Sequence, residues 1–164
     1  MPIDLQNTIF DALMEAGEEL GIKPFGIRAM DSLRIEKSYR LVGTELSIEY
    51  AAYESGLDRF VHPNKGDFIG RDALVQWREK GFDNKFVTLE VHDVTDADAL
   101  GNNPIYQDGN VVGRATGGNY GFRIQKSIAL AMLNPKCAEP GTKLTMDILG
   151  TMHDVTVIEE SFLQ

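Results

Sequence analysis

The sequence predicts an α+β protein, with a helix-bearing front followed by an all-β back that forms a small antiparallel barrel or a sandwich. Three observations predict it. Near the N-terminus apolar residues recur at helical spacing. After Gly81 the pattern changes to two-residue alternation. The remainder carries short apolar runs separated by tight-turn residues at close intervals, as in barrels and sandwiches. The boundary is expected near Phe82 to Asn84, dividing the chain into residues 1–83 and 84–164.

The front elements follow from spacing and punctuation. Asp4 to Gly21 reads as the clearest helix, with Leu5, Ile9, Phe10, Leu13, Met14 and Leu20 as a stripe expected to face a core. Gly21 is its expected stop, with Pro24 just beyond. Asp31 is placed to cap a short helix over Ser32–Glu36, because its carboxylate can accept from free first-turn amides. Gly43 and Thr44 mark a turn, and the mixed stretch from Tyr50 to Val61 leads to a loop over His62 to Gly66. Asp72 to Lys80 reads as a second long helix, with Ala73, Leu74 and Trp77 on one face and Gly81 closing it.

In the back half, Phe86 to Val91 alternates as a strand. Ile105 to Val112 reads as a hairpin, with Asp108-Gly109 supplying positive φ at the turn. Ile128 to Leu133 is continuously apolar, which suits a strand buried on both faces. Lys143 to Leu149 and Met152 to Ile158 flank a turn expected at Gly150-Thr151. The front offers helices with little obvious sheet, and helices with an apolar face need something to cover it.

Composition narrows the function. The 164 residues carry 16 Lys plus Arg against 25 Asp plus Glu, a net charge of −9, and 43% are hydrophobic. These are globular proportions, and the acidity disfavours non-specific binding to nucleic acid or an anionic membrane. No run reaches the ~20 apolar residues of a membrane span, and the N-terminus lacks signal-peptide regions. With Cys137 as its single cysteine, the chain suits a reducing compartment, and a cytoplasmic location is expected.

The residues give no catalytic constellation. His62, His92 and His153 show no metal-ligand spacing, so no metal site is assigned. Cys137, between Pro135 and Pro140, has only Lys136 beside it and reads as structural. The glycines from Gly113 to Gly121 lie in strand-like sequence and open no helix, so they read as strand bends or bulges, not a phosphate loop. Glu18-Glu19 and Glu159-Glu160 read as solvated faces. Arg114, Arg123 and Lys126 form a candidate cationic patch for an anionic ligand, weighed against an ordinary mixed surface.

Several blocks resemble the tetrahydrofolate-dependent aminomethyltransferase family, the glycine cleavage T-protein and its relatives. They are Gly26-Ile-Arg-Ala-Met-Asp-Ser-Leu-Arg-Ile-Glu-Lys-Ser-Tyr-Arg, Tyr53-Glu-Ser-Gly-Leu-Asp, and Asp67-Phe-Ile-Gly-Arg-Asp-Ala-Leu. Asn103 to Gly118, Lys126-Ser-Ile-Ala-Leu-Ala and Pro140-Gly-Thr are similar to that family's C-terminal β-barrel. Ala29 to Arg40 and Ile124 to Ser127 look most like the folate domain of dimethylglycine and sarcosine dehydrogenases.

The resemblance implies a partial folate-binding aminomethyltransferase domain over residues 1–83 and an aminomethyltransferase-type barrel over 84–164. It further implies that the pterin-holding aspartate, the donor pocket and any FAD domain lie upstream, in the rest of the polypeptide or a complementing subunit. Tetrahydrofolate is the implied cofactor, and this chain alone is expected to be inactive. Where the family has an arginine before the aspartate, this chain has Met30, and Arg28 is the candidate substitute. Tyr39 matches a tyrosine near the folate. Glu36 and Glu54 complete the candidate cofactor residues, with structural readings alongside: Glu36 pairing with Arg40, and Glu54 capping a turn. No residue is assigned as catalytic. A docking module of the same fold, or a demethylase acting on a sulfonium or another methylated donor, are the alternatives.

Overall fold

The computed structural model describes residues 2–94 and 96–161. It divides into two compact units, Met1–Met30 and Asp31–Gln164.

The first unit is built on helix α1, Gln6–Gly17, between short 3-10 turns at Ile3–Leu5 and Glu18–Leu20. Gly21, at φ 70°, ends it by donating to the Glu18 carbonyl. The helix forms as expected, but its stripe is not core. Phe10 is 54% and Leu13 58% exposed, and Leu5, Ile9 and Leu20 are exposed as well. A 3.6-residue period shows which side of a helix is apolar, not whether anything covers it.

Helix α2, Ile27–Glu36, spans the boundary between the units. It begins earlier than Asp31, with Ala29 and Met30 donating to the Gly26 carbonyl. Asp31 therefore does not cap it. Asp31 lies inside the helix and accepts from Arg34 Nε at 2.5 Å, one turn on.

In the second unit, Gly43 and Thr44 form the expected turn, closed by an isolated bridge between Val42 and Leu46. Helix α3, Arg71–Lys80, is closed by Gly81, whose N–H donates to the Trp77 carbonyl.

The back half is a closed antiparallel barrel of six strands, ordered β1-β4-β3-β2-β5-β6. They are β1 Lys85–Val91, β2 Pro104–Gln107, β3 Asn110–Gly121, β4 Lys126–Leu133, β5 Lys143–Ile148 and β6 Thr151–Ile158. Pairing of β1 with both β4 and β6 closes it and removes the free edges. Asp108 (φ 50°) and Gly109 (φ 79°) make the β2–β3 turn as the sequence predicts. The last hairpin turns one residue earlier than expected, at Leu149 and Gly150, because Thr151 already pairs with Ile148.

Strand β4 explains why its sequence is continuously apolar. Ala129, Ala131 and Leu133 join the barrel interior with Leu89, Ile105, Met146 and Val155. Ile128, Leu130 and Met132 pack outside against Ile35 and Phe86, bringing the C-terminal half of α2 onto the barrel wall. Burial of the Ile35 side chain alone stabilises this seam by about 1.5–3 kcal/mol.

Strand β3 carries its glycines where the wall is tight. At Gly113 a Cβ would stand 2.3 Å from the Met132 carbonyl oxygen, so no larger residue fits. A bulge lies between Ala115 and Gly117, as the glycine run predicts. Cys137, in the 3-10 turn Pro135–Cys137, is buried and donates through Sγ to Gln107 Oε1 at 3.0 Å. No helix among the described residues is long and apolar enough to cross a membrane.

Candidate functional site

The segment after α2 holds one aromatic side chain outward on a closely bonded backbone. Ser38 takes a left-handed conformation, φ 54°, and is fully buried. Its hydroxyl donates to Thr88 Oγ1 at 2.7 Å, and Thr88 donates in turn to the Glu160 carbonyl at 2.8 Å. On the other side of Tyr39, the Arg40 guanidinium lies 4.0 Å from the Phe86 ring centroid, donates to the Ser55 carbonyl at 2.9 Å and pairs with Glu160. Tyr39, between these anchors, is 61% exposed. With both neighbours tied to the barrel, the ring stands on a backbone that cannot swing freely.

Arg34 completes the arrangement. Its carbonyl accepts from the Tyr39 N–H and its Nη1 donates to the Tyr39 carbonyl, both at 2.9 Å. Behind it lies Glu45, fully buried, with Oε2 4.0 Å from Arg34 Nη1. Glu45 accepts from the Leu41 N–H at 2.8 Å, the Thr44 hydroxyl at 2.7 Å and the Thr116 hydroxyl. Burial pushes this carboxyl up, but those hydrogen bonds to its ionised form outweigh burial and hold it below the ordinary glutamate value.

The other sequence-derived candidates occupy different environments. Arg28 is exposed in the first turn of α2. Glu36 is buried: Oε1 accepts from the Arg123 N–H at 2.8 Å, while Oε2 has no hydrogen-bond partner among the described residues. It does not pair with Arg40, whose guanidinium turns to Glu160 instead. Glu54 is also buried and behaves as the turn cap its structural reading expects. Its Oε2 accepts from the Ala51 N–H at 2.9 Å and its Oε1 from the Asn84 N–H at 3.0 Å. Glu36, Glu45 and Glu54 thus each tie the segment after α2 to itself or to the barrel.

The cationic patch does not form. Arg114 is held by the Tyr50 hydroxyl, Glu49 and Asn102, and Lys126 by Glu90 at 2.8 Å. Hydrogen bonding to Tyr50 chiefly, and to Glu49 besides, raises the Arg114 guanidinium above its ordinary value. Arg114 pairs across the ladder with Met132, and Gly121 with Lys126, which places the two cations roughly 20 Å apart. Glu159 and Glu160 are exposed, as their reading as a solvated face expects, and Glu160 also pairs with Arg40.

A cleft of about 520 Å³ is lined by Arg40, Tyr53, Arg59, Phe82, Phe86 and Glu160 among others. Its aromatic floor suits a planar or apolar group. Sequence reasoning missed Arg34, Ser38, Arg40 and Glu45. Only the Asp31–Arg34 spacing on one helix face was available as a signal. The others depend on contacts with strands and loops far along the chain.

Two family descriptions match the chain in order: "GCVT N-terminal domain" over residues 1–65 and "Glycine cleavage T-protein C-terminal barrel domain" over residues 84–164. The chain is 40% identical to mitochondrial dimethylglycine dehydrogenase of Homo sapiens, over 93% of this chain and 18% of that protein. It is 31% identical to an aminomethyltransferase of Caldanaerobacter subterraneus, over 99% of this chain and 43% of that one. The crystal structure of glycine cleavage system aminomethyltransferase T from Bartonella henselae superimposes with a TM-score of 0.80 at 21% identity, covering 97% of this chain and 44% of that chain. The chain therefore spans less than half the length of these relatives. With its closed six-stranded barrel and both family domains matched in sequence order, it belongs to the glycine cleavage T-protein family.

Proposed function

We propose that the chain is the C-terminal portion of a tetrahydrofolate-dependent enzyme that moves a one-carbon unit from an N-methylated amine or an aminomethyl donor to tetrahydrofolate. The observation that carries this reading is Tyr39: an exposed ring on a backbone bonded on both sides, within the block that resembles the family's folate-binding segment. Tetrahydrofolate supplies a nucleophilic nitrogen. The protein has to hold it against an electrophilic carbon, keep water out and stabilise developing charge.

The residues present fit a share of that work. Tyr39 offers a flat aromatic face to a pterin ring, and Arg28 offers a guanidinium. Glu36 and Glu54 act through the backbone amides they hold. In this reading residues 1–83 finish the folate-binding part and 84–164 form the barrel. The rest of the polypeptide, or a complementing subunit, supplies the donor pocket and any flavin. A reducing, cytoplasm-like compartment suits a chain with one buried thiol.

The test is a transfer assay with an aminomethyl or N-methyl donor and tetrahydrofolate. The chain is assayed alone and joined to the preceding segment of an aminomethyltransferase relative. Transfer is expected only in the joined form. Transfer by the chain alone, or none in a folded joined protein, overturns the reading.

The exposed stripe of Ile9, Phe10 and Leu13 favours a second reading, a docking module that holds a partner without chemistry. Self-association abolished by Ile9→Ser with Leu13→Ser in a folded protein, together with absence of transfer in the joined form, would favour it.

A further inference from the structure

We propose that Arg34 is a positioning residue that sets the orientation of Tyr39 toward tetrahydrofolate, with Glu45 as its counter-charge; this rests on the folate reading above.

The geometry singles out Arg34. No other side chain among the described hydrogen bonds reaches the Tyr39 backbone, and Arg34 engages it at both ends: N–H to carbonyl and carbonyl to Nη1, each 2.9 Å. The guanidinium is itself oriented on three sides. Asp31 takes Nε at 2.5 Å, Glu45 lies 4.0 Å from Nη1, and Nη2 faces the bulge of β3, where a Cβ on Gly117 would stand 3.6 Å away.

Arg34 is nearly buried, at 12% side-chain exposure, while Tyr39 is largely exposed. Arg34 therefore acts on a ligand at the ring only through Tyr39. Glu45 links the same guanidinium to the barrel through Thr116, so the ring's position is referred to β3 and not to the loop alone. A planar fork is needed for this: lysine keeps the charge beside Glu45 but cannot hold Asp31 and the Tyr39 carbonyl together.

The experiment measures tetrahydrofolate affinity of the chain joined to the preceding segment of an aminomethyltransferase relative, as in the transfer assay, in five forms: wild type, Tyr39→Ala, Arg34→Lys, Arg34→Gln and the double variant Tyr39→Ala/Arg34→Lys. Each is checked for unchanged circular dichroism. Arg34→Lys keeps the buried charge pair, so it serves if Arg34→Gln fails to fold. The expected result is a loss of about tenfold for Arg34→Lys, the scale of one hydrogen bond to a charged group. That loss disappears when Tyr39 is already alanine, because coupled residues do not add. Wild-type affinity in Arg34→Lys, or a further loss of equal size in the double variant, overturns the positioning role while leaving the folate reading intact. Unchanged affinity in Tyr39→Ala, or no binding by the wild type, overturns the folate reading itself and the positioning role with it.

Discussion

Arg34 satisfies both backbone polar groups of Tyr39, accepting from its N–H and donating to its carbonyl at 2.9 Å each. A tyrosine fixed in this way gives its backbone to the protein and its ring to the exterior. The side chain contributes little to folding. Tyr39→Ala is expected to change stability by no more than about 0.5 kcal/mol, as for an exposed side chain away from caps and cores. Urea unfolding followed by circular dichroism checks this; a loss several times larger would place the ring in a packed interior.

Glu45 makes stability depend on pH in a defined direction. Its carboxyl is held below the ordinary glutamate value in the folded protein by the hydrogen bonds it accepts from Thr116, Leu41 and Thr44. A depressed folded value means its contribution is fully present above the unfolded value and is lost as pH falls through the folded one. The stability difference between wild type and Glu45→Gln is therefore constant from neutral pH down to about pH 5 and shrinks below about pH 4. Urea midpoints measured between pH 3 and 7 report it, and a difference that grows on acidification would reverse the sign argued here.

Glu54 caps two backbone amides with its two oxygens, at Ala51 and at Asn84. Glu54→Ala leaves the buried Ala51 N–H and the half-buried Asn84 N–H without their acceptor and is expected to destabilise by about 1–3 kcal/mol. Thermal melts will show it. A melting temperature equal to wild type would mean that water replaces the carboxylate at no cost.

Gly113→Ala forces a Cβ against the Met132 carbonyl at 2.3 Å, a contact neither strand can relieve without breaking register. The expected cost is about 1–3 kcal/mol, in the range of overpacked cores. Gly109 offers the comparison, since it has no atom within 4 Å of a Cβ position and only its φ of 79° resists substitution.

The barrel was legible because its signals are local. Alternation marked β1, Asp108-Gly109 the β2–β3 hairpin turn, and the unbroken apolar run of β4 a strand covered on both faces. The front was harder to read for the opposite reason. Asp31 has the right chemistry for a helix cap, but the helix starts at Ile27 and leaves it inside, pairing with Arg34. The stripe of α1 was found by its period, while its exposure depends on neighbours that periodicity does not report. At the site, the family resemblance pointed to Tyr39. The residues that hold it, Ser38, Arg40 and Glu45, find their partners in Thr88, Glu160 and Thr116, too far along the chain for any spacing rule to connect them.

In the proposed reading this face of the molecule meets tetrahydrofolate at Tyr39. It is tested by amide chemical-shift mapping of the isotope-labelled chain, joined to the preceding segment of an aminomethyltransferase relative, during titration with tetrahydrofolate. Saturable shifts centred on Ser38, Tyr39, Arg40 and Leu41 are expected, with the distant turn at Asp108 and Gly109 silent. Shifts centred on that turn, or no shifts at saturating concentration in a folded joined protein, overturn this reading.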